Sequence, residues 1–176
     1  MFKKYIFPIL GLALPIATAS GAAETDSTLM NVGYPDFPEL SISVPSSYKI
    51  YNKERYGIFS DDEKLEIAGT AYRSTGKEMG AKEFAEARTD SIPKDMPWYS
   101  PVRELNPIKG LKGLKYEAYG IEYEGVWPKE SEPTSYIVVT IKSDDVLLSL
   151  TFTALTSNMN SFRPIVRNVI ASTTIK

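Results

Sequence analysis

Apolar and polar side chains alternate in several short segments of this chain, and a period of two predicts strands. Leu40, Ile42 and Val44 alternate with Ser41 and Ser43 and are closed by Pro45. Tyr48 to Asn52 and Tyr56 to Ser60 follow as short aromatic-rich strands around a Lys53-Glu54-Arg55 turn, and Asp61-Asp62-Glu63 marks a second turn. Leu65 to Arg73 reads as another strand, in which Ala68, Gly69 and Ala71 leave little side-chain bulk. Three long strands come later. Leu114 to Trp127 puts Tyr119, Ile121, Tyr123 and Trp127 on one face and Glu122 and Glu124 on the other. Tyr136 to Lys142 and Val146 to Leu155 form a hairpin around Ser143-Asp144-Asp145, residue types whose side chains bond nearby backbone.

Two segments carry the helical period instead. In Gly80 to Ile92, Ala81, Phe84, Ala85 and Arg88 recur at three and four residues, with Lys82, Glu83 and Glu86 facing water and Pro93 as the stop. Near the end of the chain, Phe162, Ile165, Val166, Val169 and Ile170 form one apolar stripe. Ser161 suits its cap, and Pro164 would fall in its first turn. Between helix and long strands, Pro93 to Pro107 holds four prolines with Trp98 and Tyr99 and predicts a long ordered crossing loop, with room for a short strand at Val102 to Leu105.

The first residues follow a different logic. Met1 to Lys4 is positively charged, Tyr5 to Ile16 is apolar, and Ala17-x-Ala19 matches the small-x-small rule for signal peptidase. About a dozen apolar residues broken by Pro8, Gly11 and Pro15 fall short of the roughly 20 that span a bilayer. Residues 1–19 are therefore expected to be a cleaved signal peptide, 20–38 a flexible polar arm, and 39–176 one domain, periplasmic or secreted and without a membrane span.

Runs of antiparallel strands with two segregated helices predict an α+β fold, a twisted sheet carrying two packed helices. The order of elements resembles the PsbP/Mog-type fold, including exported bacterial DcrB-like proteins. The opening Leu40-Ser41-Ile42-Ser43-Val44-Pro45, the helix from Ala81 to Ile92, the hairpin from Tyr136 to Leu155 and the close from Phe162 through Ile170-Ala171-Ser172 carry this likeness. It implies a non-enzymatic binding or scaffolding module, and it transfers no functional residue.

Composition narrows the chemistry. There is no cysteine, which removes disulfides, thiolate nucleophiles and lipidated cysteine, and no histidine, which removes the commonest general base and metal ligand. Without Lys3 and Lys4, the 20 basic residues become 18 against 22 acidic, a net of −4, and no basic run favours nucleic acid.

Three polar groupings match reactive patterns only in part. Ser46-Ser47-Tyr48-Lys49 has the S-x-x-K spacing but lies between strands, where serine and lysine share no helical face. Glu122 and Glu124 stand about 7 Å apart on one strand and read as a solvated face. Asp61-Asp62-Glu63 and Asp144-Asp145 fall where turns are expected and lack calcium-loop spacing. No cofactor and no catalytic set follow. The strongest candidate surface is aromatic: Trp98, Tyr99, Tyr119, Tyr123 and Trp127, either a second small core or a binding face. The expectation is an exported, non-catalytic protein that binds a protein or envelope component; the alternative is a periplasmic immunity protein that neutralises a secreted toxin.

Overall fold

A computed structural model describes residues 29–34, 37–52, 56–73, 79–104 and 115–175. Its chain order is β1 (Leu29–Tyr34), β2 (Phe37–Pro45), β3 (Lys49–Asn52), β4 (Tyr56–Phe59), β5 (Glu66–Arg73), α1 (Ala81–Asp95) and β6 (Tyr99–Glu104). Then follow β7 (Glu117–Gly125), β8 (Thr134–Lys142), β9 (Val146–Leu155), α2 (Thr156–Ala171) and β10 (Thr174–Ile175). Seven strands form one antiparallel sheet in the spatial order β3-β4-β5-β9-β8-β7-β6, and β1-β2-β10 form a second, smaller one. The fold is α+β, as the patterning predicts.

The pleat decides which helix covers which face. Ile137, Val139 and Ile141 of β8 pair with Phe152, Leu150 and Leu148 of β9, and this apolar face continues to Ile67 of β5. It is closed by Met159, Val166, Val169 and Ile170 of α2 and by Leu40, Ile42 and Val44 of β2, which together make the main core. The opposite face carries Ile121, Tyr123 and Val138, and Ala85 and Ile92 of α1 close it as a second core. The chain end is pinned between layers. The Tyr116 hydroxyl donates to the Ile175 carbonyl at 2.7 Å and accepts from the Ile175 N–H at 2.9 Å.

Four sequence expectations change. Leu29–Tyr34, placed in a flexible arm, is strand β1, and β2 begins at Phe37; residues 1–28, with the signal segment, lie outside the described residues. Helix α1 continues past Pro93 to Asp95, because proline's fixed φ is helical and near the helix end it costs one backbone hydrogen bond. Strand β6 starts at Tyr99, so the crossing loop contains an edge strand, with a register shift between Pro101 and Arg103 where proline cannot donate. Helix α2 starts at Thr156 straight out of β9, its first N–H bonded to the Pro133 carbonyl at 2.8 Å. Ser161 is thus inside the helix, bonded to the Asn158 carbonyl at 2.7 Å, and Pro164 lies in its interior rather than its first turn.

Candidate functional site

Tyr99 opens β6 directly opposite Gly125, the last residue of β7. Glycine is required there: a Cβ on residue 125 would stand 2.0 Å from the Trp98 carbonyl oxygen. This close approach lays Trp98 beside Trp127, with ring centroids 5.2 Å apart. Trp127 meets Tyr99 edge-on at 6.1 Å and donates its Nε1–H to the Tyr99 hydroxyl at 2.8 Å. Tyr136 of β8 stacks on Tyr99 at 5.4 Å and lies 6.4 Å from Tyr123. Four of the five aromatic residues chosen from the sequence therefore meet. Tyr119 stands apart, further along β7, under the Lys82 ammonium of α1 at 5.8 Å.

The cluster grades from dry to wet. Tyr99 and Tyr123 are 2% and 1% exposed, Trp98 is half-buried, and Trp127 is 36% exposed. Burial pushes the Tyr99 phenol up to about 12, against the pull of the Trp127 hydrogen bond. Burial also raises Tyr136, while the Arg88 charge and Thr151 oppose it. The Glu66 carboxyl, half-buried on β5, is raised by desolvation. Tyr136, Arg88 and Glu66 are the additions that sequence reasoning missed. The usable signal for Tyr136 is register: once Tyr123 pairs with Tyr136 across β7 and β8, both rings must share a face.

Helix α1 packs on β6, β7 and β8. Beyond β8, the same sheet face holds Ser149, Thr151 and Thr153 of β9 beside Thr70, Ala68 and Glu66 of β5. Thr151, Thr153, Ala68 and Glu66 are half-buried and Thr70 is exposed, so a shallow polar strip runs along the flank of α1.

No protein-family model and no curated protein sequence matches this chain. Solved structures do. LpqN of Mycobacterium tuberculosis, described as involved in cell envelope biogenesis, superposes with a TM-score of 0.59 at 15% identity over 87% of this chain and 93% of its own. Cyanobacterial PsbP from Synechocystis gives 0.58 at 8% identity, covering 90% and 98%. The Ran-binding protein Mog1 of Saccharomyces cerevisiae gives 0.54 at 9% identity, covering 85% and 96%. The chain has a PsbP/Mog-like fold. These structures carry the broad likeness and not the narrower DcrB-like one.

In this PsbP/Mog-like fold the carboxylates of β7 are not a solvated pair. Glu122 is 3% exposed and bonds Arg163 of α2 at 2.7 Å, because its face of β7 is the one that α2 covers. Ser46 and Lys49 are exposed around the turn from β2 to β3. Asp62 serves its own turn: its carboxylate takes the Ser60 hydroxyl at 2.7 Å and Lys64 Nζ at 3.0 Å, bonds that hold it down at about 2. Asp145 reaches Arg73 at 3.3 Å. Among the described residues no group of three or more acidic side chains is placed to hold a metal, and no helix is long and apolar enough to cross a membrane.

Proposed function

We propose that this chain is a non-catalytic binding protein of the cell envelope, exported by its first 19 residues, which engages a protein or envelope component through the aromatic site. Trp98 and Trp127 form the accessible part; Tyr99, Tyr123 and Tyr136 are the rigid base beneath, and Tyr119 extends the same face toward the start of α1. The observation that carries this reading is Trp127, a large ring left 36% exposed yet fixed by a hydrogen bond and two ring contacts. A preordered, half-wet tryptophan loses little freedom on binding and has much apolar area to bury. The involvement of LpqN in cell envelope biogenesis and the Ran binding of Mog1 support a binding role for the fold.

Affinity capture from envelope extract with the mature chain tests it, comparing wild type with Trp127→Ala and Trp98→Ala. The reading requires a specific protein or envelope component retained by wild type and lost from both variants while their thermal unfolding stays cooperative. Equal capture by all three proteins, or cytosolic residence with residues 1–19 still attached, overturns it.

A further inference from the structure

Trp127 opens the connection from β7 to β8, and that connection is acidic. From Glu124 to Pro133 the chain carries Glu124, Glu130 and Glu132 against Lys129, three acids to one base and a net of −2. Glu130 and Glu132 are exposed, and none of the three carboxylates is in an ion pair among the described residues. The turn fixes this charge beside the indole. Lys129 sits in the left-handed region at φ 75°, and the Glu130 N–H donates to the Trp127 carbonyl at 2.9 Å. Pro133 closes the connection, its carbonyl held by the Thr156 N–H.

The ring itself says how it is met. Its one polar atom, Nε1, is occupied by the Tyr99 hydroxyl, so the exposed part offers a π surface and no hydrogen bond. A tryptophan face attracts cations, and guanidinium groups stack on it well. Apolar area continues at the same end of the sheet. Val126 is exposed beside Trp127, and exposed Leu155 stands two strands over, in the row Gly125–Thr134–Leu155, about 10 Å from Gly125 by the strand spacing. Alternation with Ala154, which belongs to the main core, turns Leu155 to the face that carries Tyr136. Further in, Glu66 and Arg88 act on Tyr136 with opposite signs and leave the charge balance to the rim.

We infer that the partner is a protein presenting a basic segment, with an arginine laid over the Trp127 ring between Glu130 and Glu132 and an apolar side chain against Leu155. The inference rests on the binding reading of the aromatic site and names the chemistry of what that site takes. Unpaired rim carboxylates steer a cationic segment in and repel anionic lipid headgroups and phosphate-bearing envelope polymers.

Trp98 and Trp127 are the chain's two tryptophans, so intrinsic emission reports this site alone. The test titrates the mature chain with a short peptide of arginine, leucine and serine in equal parts, to about 2 mM, a range suited to the weak Kd of a short segment. The same peptide with glutamate for arginine, and vesicles of phosphatidylglycerol, are titrated in parallel. The arginine peptide should change the emission saturably, and the other two should not. Trp127→Ala, followed through Trp98, should weaken it roughly tenfold. Glu130→Gln with Glu132→Gln, changes at exposed positions, should weaken it about threefold to tenfold, and about 500 mM sodium chloride should do the same to wild type by screening. Absence of saturation, equal binding by the double glutamine variant, or saturable binding of the glutamate peptide or the vesicles would each overturn the inference. Envelope capture separates it from the reading beneath. A component lost by Trp127→Ala but kept in full by the double glutamine variant leaves an aromatic binding site and removes the basic partner; equal capture by wild type and both tryptophan variants removes both.

Discussion

Glu122 of β7 and Arg163 of α2 meet at 2.7 Å across the interface between sheet and helix, with the carboxylate almost wholly buried and the guanidinium about a quarter exposed. Arg163 is further held by Asn160, whose Oδ1 accepts from its Nε at 3.1 Å. The pair anchors α2 on the face of β7 nearest the main core.

Removing the cation should therefore cost more than an exposed ion pair would. Arg163→Met keeps most of the stem packing but withdraws a charge partner from a buried carboxylate. A loss of about 1–3 kcal/mol is expected, below the full cost of breaking a buried pair because Arg163 reaches solvent. Urea unfolding measures it; an unchanged midpoint would show that the contact contributes nothing.

Gly125 admits no side chain. Its Cβ would strike the Trp98 backbone, which cannot swing aside as a side-chain tip can. Gly125→Ala should lose about 1–3 kcal/mol and quench or shift tryptophan fluorescence, since the β6–β7 contact that stacks Trp98 on Trp127 must open. Gly69→Ala meets the tip of the Tyr34 ring instead, with the hydroxyl oxygen at 2.1 Å. There Tyr34→Leu in the same chain should recover part of the loss, a non-additivity absent at position 125.

Thr140→Val replaces a buried, unpaired hydroxyl with a methyl of similar shape. It should stabilise the free protein by about 1 kcal/mol, a rise in Tm of roughly 2–4 °C at this chain length. A drop in Tm would mean that the hydroxyl is paired in solution.

Tyr48 and Tyr99 share a strong alkaline signature. Burial raises both phenols to about 12, aided at Tyr48 by the nearby Asp62 and Asp61. The folded-state value lies above the unfolded value near 10, so the native state prefers the neutral phenol. That contribution is fully present below pH 10 and is lost as pH rises through 12. Ultraviolet titration should show these two tyrosines ionising well after the exposed ones, together with alkaline unfolding. Early ionisation of Tyr99 in Trp127→Phe would show that the indole holds the site closed.

Much of this was legible from local pattern. The alternation of Leu40, Ile42 and Val44 with serines, and the long runs from Val146 and around Tyr136, report which side chains leave water, and burial follows directly from that. The aromatic set was found for the same reason, as large rings on alternate positions of one strand and in a proline-bracketed segment. Capping and stopping signals were weaker. Pro93 and Pro164 both lie inside helices because packing of the whole helix outweighs what each costs, at Pro164 both a lost backbone bond and the ring's clash with the carbonyl four residues earlier.

What one strand's neighbours do was not legible. Glu122 looks like a water-facing carboxylate in its own segment, and only the arrival of α2 with Arg163 makes it a buried ion. Leu29–Tyr34 and Thr174–Ile175 are strands because β2 offers two free edges for them to complete, a partner that their own residues do not name.

The amino-acid order by itself determined the α+β class, the elements that alternate or repeat every turn, and the absence of thiol and imidazole chemistry, because each depends on residue type and local period alone. The tertiary structure alone decided that Trp127 rests on Tyr99, that Tyr136 joins them, and that Arg163 meets a buried Glu122. Those relationships depend on strand register and on which sheet face α2 covers, and both are settled by packing between segments far apart in the chain.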